Sequence, residues 1–277
     1  MLISRIANKV KTPYRRINHP QISREAIVID IGCGPNPNPR ANVACDFLED
    51  DTERAAALVI DRPFVWAEIN ALPFRDKAFD YSILAHVLEH LGDPAGALGE
   101  VERVSKAGYI ETPNAITEIA VSYVFHLSRV TVIDRKLIIT FKQSWNEELP
   151  PAFADVTADI KKAIAFIMEV DWCRSITQYR WQNHIDFEIR GTMGGFSKQG
   201  SDSDAKVPGP GALKRMVVAA VYRLMRPKLV VLEDYLASPC CKAGLHADQK
   251  PGNELQCQSC KRRFGKTRGH WDFRIPR

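Results

Sequence analysis

Two groups of residues could do chemistry. The first starts in residues 28–34, VIDIGCG, where an apolar run ends in Asp30 and then in Gly32 and Gly34. Glycine lets a backbone turn sharply and approach a ligand closely, because it has no Cβ. Acids recur after later apolar runs: Asp46 ends residues 41–46 (ANVACD), and Glu68 follows residues 64–67 (FVWA). An acid closing the second strand of a nucleotide-type fold can accept from both ribose hydroxyls, and Glu68 is placed to meet an exocyclic amine. His86, Glu89, His90 and Glu111 are candidate bases. His86 lies at the mouth of the fourth apolar run, and Glu111 stands beside Thr112-Pro113. Starting and capping the next helix is the competing role for Glu89 and His90, and holding the loop is that for Glu111. The second group is Cys257-Gln258-Ser259-Cys260, preceded by Cys240 and Cys241 with fifteen residues between Cys241 and Cys257. That interval matches a zinc ribbon, in which four soft ligands surround the metal.

The elements that must position these residues follow from pattern. Residues 28–31, 41–46, 64–67, 79–85 and 107–110 read as strands, the fourth buried on both faces. Asp93-Pro94 supplies an N-cap and a first-turn proline for a helix over 94–106. Strands alternating with helices at this spacing predict an α/β fold with a mostly parallel sheet and crossover helices. After Thr112 the pattern changes. Residues 115–127 suit a helix, 131–142 a hairpin turning at Asp134-Arg135, 155–170 an amphipathic helix and 185–190 a half-exposed strand. This stretch is expected to insert over the sheet at about 115–184 and to shape the acceptor pocket. It holds Trp145, Trp172, Tyr179 and Trp181 with His126 and His184, types found more often in cores than as ligand platforms.

The predicted organisation is a basic arm (1–25), the main domain (26–190), a glycine-rich linker (191–211), a basic helix (212–236) and a cysteine module (237–277). Charge supports that division. Residues 1–25 carry six Arg/Lys against one acid and residues 212–277 fourteen against five, so a net charge of +5 leaves the middle nine charges negative. Basic ends on an acidic body suit an anionic partner such as RNA or a membrane surface, or pairing with the body itself. No apolar run reaches the roughly 18–20 residues of a membrane span, and no continuous apolar signal core opens the chain. The expected location is the cytoplasm, with peripheral membrane contact through the basic regions. Seven cysteines there are expected to be reduced or metal-bound, with Cys33, Cys45 and Cys173 as isolated buried thiols.

The glycine pair lacks the third glycine of a dinucleotide fingerprint. Pro35, Pro37 and Pro39 follow it instead, a poor start for a helix cradling a pyrophosphate. A ligand without phosphates fits better; a plain glycine turn after a buried strand is the alternative. The set VIDIGCG, VACD, NALPFRDKAFDYSILAHVLEH and KAGYIETPN, over about residues 26–114, resembles the class I S-adenosylmethionine-dependent methyltransferases, nearest the type 11, ubiquinone-biosynthesis-like group. The resemblance implies a Rossmann-like fold and cofactor contacts from Asp30, Gly32, Cys33 and Gly34 at the methionine part. It likewise implies Asp46 and Phe47 at the ribose, Glu68 and Ile69 at the adenine, and Ala85 and His86 lining the pocket. Glu68 stands where the family usually has aspartate. The sequence SPCCKAGL…ELQCQSCKRRFGKTRGHWDFRIP is similar to the small zinc-ribbon activator of tRNA and translation-factor methyltransferases. Ser238 occupies that family's first cysteine position. The matched ligands are Cys241, Cys257 and Cys260, with Cys240 as fourth by a shifted knuckle and His246 or His270 as substitutes; a ribbon held by packing alone is the alternative.

Three readings follow. The first is methyl transfer from S-adenosylmethionine to a small-molecule, glycan- or lipid-linked acceptor, with His86 or Glu111 as the base where one is needed. The second is an RNA or translation-factor methyltransferase with its zinc-ribbon activator fused on. The third is a non-catalytic binding module.

Overall fold

The computed structural model describes residues 22–48, 57–121, 125–143, 159, 163, 175–193, 229–247 and 254–275. Most of the basic arm, most of the linker, nearly all of 155–170 and most of 212–236 lie outside the described residues, as do Trp145, Trp172 and Cys173.

The first strands form where the apolar runs are continuous. They are β1 (Val28–Ile31), β2 (Val43–Asp46), β3 (Phe64–Trp66), β4 (Tyr81–Ala85) and β5 (Ala107–Pro113). The five run parallel to one another, in the order β3-β2-β1-β4-β5. The two faces of β1 feed separate cores. Ile29 and Ile31 join the large cluster with Leu84, Leu98 and Val101, and Val28 packs with Tyr81, Ile83 and Tyr109. Burial on both faces is why these strands read as apolar runs rather than alternations. The order reverses between β1 and β4, and loops leaving the C-terminal ends of strands diverge there, opening a crevice.

Helix α1 (Pro94–Val104) covers the larger core with Ala97, Leu98, Val101 and Val104. The Asp93 carboxylate accepts the Gly96 N–H at 3.0 Å, and Pro94 fills the first helical position. The predicted cap is therefore present, and Glu89 and His90 do not supply it; they sit in a separate 3-10 turn, Leu88–His90.

Beyond β5 the structure departs from expectation. The fifth strand runs on through Glu111 and Thr112, because β8 (Ile176–Gln182) pairs with it antiparallel over its whole length. Strand β8 lies inside the stretch expected to cap the sheet, and it extends the sheet instead. Helix α2 (Ala115–Val121) takes only the first half of 115–127, and Leu127 is already donating to the Glu89 carbonyl. The predicted hairpin is β6 (Ser128–Ile133) and β7 (Lys136–Phe141), joined through Asp134 and Arg135 at φ +49° and +67°. Two such residues make the turn whose twist matches paired strands. Strand β9 (Phe187–Arg190) pairs parallel with β7 and alternates in exposure as its sequence requires.

The C-terminal region, expected as a small cysteine module, has two parts that pair differently. Strands β10 (Leu245–Ala247), β11 (Leu255–Cys257) and β12 (Arg263–Phe264) form a small sheet. The next two, β13 (Lys266–Thr267) and β14 (His270–Asp272), join the main sheet, with β14 parallel to β3. Trp66 Nε1 donates to the Thr267 carbonyl, and Phe273 N–H to the Trp66 carbonyl. The described end of the expected basic helix is a 3-10 turn, Leu232–Tyr235, which bridges onto Phe74 through Leu236. The main fold is thus an eight-stranded, mostly parallel, Rossmann-like sheet with helices against it.

Candidate functional site

The glycine loop leaves β1 at the point where strand order reverses. Gly32 and Gly34 have φ of +71° and +53°, values that disfavour any side chain. Gly32 is constrained twice, since a Cβ there would lie 2.4 Å from Val87 Cγ2 in the loop after β4. A Cβ on Gly34 would meet nothing within 4 Å, so that side of the loop faces open space. The Cys45 carbonyl accepts from both Gly32 N–H and Cys33 N–H and ties the loop to β2. Burial, then Asp30 and Asp46, push the Cys33 thiol well above its ordinary range, so it stays protonated. The buried Asp30 carboxylate accepts the Asn38 N–H at 2.6 Å and closes the proline-rich turn.

Asp46 ends β2 and reaches back to the same loop. One carboxylate oxygen accepts from Gly34 N–H at 2.9 Å; the other accepts from Phe47 N–H at 2.8 Å and Leu48 N–H at 3.2 Å. A carboxylate has about four acceptor positions, so a ribose held by both hydroxyls must take over part of this set. Phe47 is 45% exposed at the strand's end. Glu68 precedes the 3-10 turn Ile69–Ala71 without capping it by its side chain, and Ile69 is buried beside it.

The third wall follows β4. Ala85 ends the strand, and His86, at φ +57°, turns its ring between two acids. His86 Nε2 is 3.3 Å from Glu111 Oε1, and Nδ1 is 3.5 Å from Glu89 Oε1. Tyr109 Oη donates to the far oxygen of Glu111 at 2.5 Å. Burial disfavours charge on His86, but Glu111 and Glu89 outweigh it and hold the pKa up to about 9. A histidine so held favours its protonated form at neutral pH.

A second buried network lies behind this one. His126 Nδ1 is 2.6 Å from Glu118 Oε2, and Lys142 Nζ bonds the other Glu118 oxygen. Glu118 and Lys142 are 2% and 1% exposed. His126 was visible in the sequence, whereas Glu118 and Lys142 carried no signal: each is an ordinary charged residue in a helix or hairpin pattern, and only the fold buries them together.

The C-terminal cysteines converge. The sulfurs of Cys240, Cys241, Cys257 and Cys260 all lie within 4.8 Å of one another. Two matching turns present them: Lys242 N–H donates to the Ser238 carbonyl at 2.9 Å, and Lys261 N–H to the Cys257 carbonyl at 3.1 Å. Lys242 and Lys261 have φ of +56° and +62°. By that correspondence fully buried Ser238 stands where Cys257 stands in the second turn, and its Oγ lies 2.9 Å from Cys240 Sγ. Burial opposes a thiolate at Cys257, but the Ser238 hydroxyl and the backbone of Cys260 and Ser259 lower its pKa to about 6. A backbone contact with Arg262 lowers the Cys260 thiol, yet Cys240, Cys241 and Cys257 outweigh it and push it to about 12. Sulfurs crowded in this way resist losing all their protons unless a cation joins them, and the set fits tetrahedral zinc. His246 and His270 are not in the cluster; His270 is on β14 against Phe64.

Comparison with known proteins places the same segment in relief. A curated relative, an uncharacterised protein in a transposon of Streptomyces fradiae, is 32% identical over 94 residues, which are 29% of this chain and 27% of that protein. The chain thus spans about a quarter of the curated relative it matches. Among solved structures, the YcgJ protein of Bacillus subtilis aligns at 22% identity over 38% of this chain and 51% of that one, with a TM-score of 0.31. A chain from a complex containing the Trm112 methyltransferase activator of Haloferax volcanii aligns at 15% identity over 65% of this chain and 94% of that one, with a TM-score of 0.41. The segment carrying the glycine loop, Asp46, Glu68 and His86, residues 29–110, matches the family model of the methyltransferase domain.

Proposed function

We propose that the chain is an S-adenosylmethionine-dependent methyltransferase acting on a small-molecule, glycan- or lipid-linked acceptor. The observation that carries this reading is the loop Gly32–Gly34 held against Asp46 at the sheet's switch point, inside the segment that matches the methyltransferase domain. Open space beside Gly34, a buried acid and an exposed ring at Phe47 suit a ligand with hydroxyls and a flat base. When bound, the cofactor supplies an activated methyl group; the protein aligns the acceptor and excludes water. Asp46 and Phe47 hold the ribose side, and Glu68 with Ile69 borders the adenine. Asp30, Cys33 and Ala85 shape the floor. His86, kept protonated, donates to the acceptor and fixes its orientation, and Glu111 holds His86. That is a different role from the base expected from sequence.

Calorimetry with S-adenosylmethionine tests the reading. Asp46→Asn should weaken binding by about 1.5 kcal/mol, the loss of a charged hydrogen bond, or roughly tenfold. Absence of binding by the wild-type protein at millimolar cofactor overturns it and leaves the non-catalytic module.

One observation favours the second reading, a fused zinc-ribbon activator with an RNA or translation-factor substrate. The cysteine region continues the sheet that carries the site, through β14 on β3, and Lys242 bonds Glu100 on α1 at 2.7 Å. Exposed Lys261, Arg262 and Arg263 stand beside the second knuckle, where an anionic partner, RNA or a membrane surface, would bind. Retention on a polyanion that falls steeply with salt supports this partner, and salt-insensitive retention counts against it. Among the described residues no helix is long and apolar enough to cross a membrane.

A further inference from the structure

We propose a divalent-metal site, separate from the cysteine cluster, built by Glu89, His90 and His126. One donor atom from each converges within 4.8 Å of the others. Metal bonds of about 2.1 Å at tetrahedral angles put donors about 3.4 Å apart, so the donors must draw in by at most about 1.4 Å from their widest spacing here.

Three observations point to an ion rather than to a simple ion pair. Glu89 is 1% exposed, and its carboxylate is held only at long range: Oε1 stands 3.5 Å from His86 Nδ1, and neither oxygen makes a well-formed hydrogen bond. A buried carboxylate whose described partner is this distant is costly, and such groups are normally closely paired or bound to metal. His126 is arranged as metal-binding histidines are. Its Nδ1 is committed to Glu118 at 2.6 Å, which directs Nε2 toward a ligand. Lys142 in turn neutralises Glu118, so this supporting layer is complete in itself. His90 is stacked on Phe125 with centroids 5.5 Å apart and planes within 2°, which fixes its ring. The backbone sets the register: Leu127 N–H donates to the Glu89 carbonyl at 2.7 Å, and Lys142 N–H to the Leu127 carbonyl at 3.0 Å.

Two imidazoles and one carboxylate suit zinc, iron, cobalt or nickel rather than magnesium or calcium, and three protein ligands leave coordination positions open. The site joins the turn after β4 to the hairpin β6–β7. That is the part of the molecule to which the acceptor is assigned, so an acceptor oxygen is the natural occupant of an open position; this last step rests on the methyltransferase reading.

The test is titration of the full-length, chelator-stripped protein with Co2+, followed by absorption. Binding at the cysteine cluster produces thiolate-to-metal charge transfer. The proposal expects a further equivalent that adds ligand-field bands without more charge transfer. It also expects His126→Ala and Glu89→Gln to weaken that equivalent at least tenfold while the thiolate signal stays. Circular dichroism checks each variant; where His126→Ala unfolds, His90→Asn reads the same site. A folded wild-type protein that takes up no Co2+ outside the thiolate signal overturns the proposal, as does thiolate-free uptake that the variants leave intact. The readout needs no methyl transfer, so it stands or falls separately from S-adenosylmethionine binding.

Discussion

Gly32 is the residue at which two requirements meet: a left-handed backbone and a side chain, Val87, pressed against the missing Cβ. Gly32→Ala should cost about 2–3 kcal/mol in urea unfolding, from strain and overpacking together, and should abolish cofactor binding in calorimetry. Adding Val87→Ala should recover the steric part of that loss and leave the part due to φ. A double variant no more stable than Gly32→Ala would mean that Val87 is not the obstacle. Ser238 allows the opposite experiment. Its position repeats that of Cys257, so Ser238→Cys should complete a regular first knuckle and raise zinc affinity in chelator competition, with Cys240 released from the shell. Unchanged affinity would mean that Cys240 already serves as a full ligand. The motif residues Asp30, Gly32, Gly34 and Asp46 were legible because their spacing follows buried strands. Their partners were not. Val87 and the Glu118–Lys142 pair have no local pattern and meet their partners only through long-range folding, whereas Asn38 closes its turn on Asp30 eight residues back without a recognisable motif.

Helix α1 links the site-bearing sheet to the cysteine region through one carboxylate. Glu100 accepts from Leu72 N–H at 2.8 Å, Arg103 Nε at 2.7 Å and Lys242 Nζ at 2.7 Å. Burial raises the Glu100 pKa, but Arg103 and Lys242 outweigh it, and the net shift is downward. A carboxylate depressed in the folded state stabilises the protein above its ordinary value of about 4.3, and that gain is lost as pH falls through the depressed value. Glu100→Gln keeps the acceptor for Leu72 but not the charge. Its deficit in urea midpoint should be present at about pH 6 and shrink toward about pH 3. A deficit that does not change with pH would assign the loss to packing. At this scale the central strands were legible since each is a continuous apolar run. Strand β8 was missed because ITQYRWQ is strongly polar on one face, as an edge strand should be. It was therefore absorbed into the expected cap, and the length of β5 was lost with it, because pairing with β8 is what carries β5 past Ile110.

For the whole molecule, the C-terminal region decides how the sheet ends. Charge and composition separated residues 237–277 from the body, and they do differ from it. What composition could not express is that the short strand HWD would pair with FVW two hundred residues earlier. Trp271 lies opposite Val65, and Asp272 opposite Trp66. The join is sealed by side chains from both sides. Trp271 Nε1 donates to Glu233 at 3.1 Å, and Arg274, bound to Asp272, stacks over Trp66 and reaches the Phe47 carbonyl at 3.2 Å. The last contact ends one residue from Asp46, so the region that ends the sheet also braces the strand that holds the proposed ribose site. A chain stopped after residue 236 would expose the β3 edge and the fully buried ring of Trp66 together. Unpaired apolar edges invite association with other chains. That truncation should therefore be recovered mainly as aggregate, and any soluble fraction should bind S-adenosylmethionine more weakly than the full chain. Arg274→Ala separates the two effects: the β14–β3 pairing remains, solubility should hold, and cofactor affinity should fall by about threefold, the size of a partly exposed contact near 0.6 kcal/mol. A soluble truncated chain with full affinity would show that the sheet and its site are complete without this region.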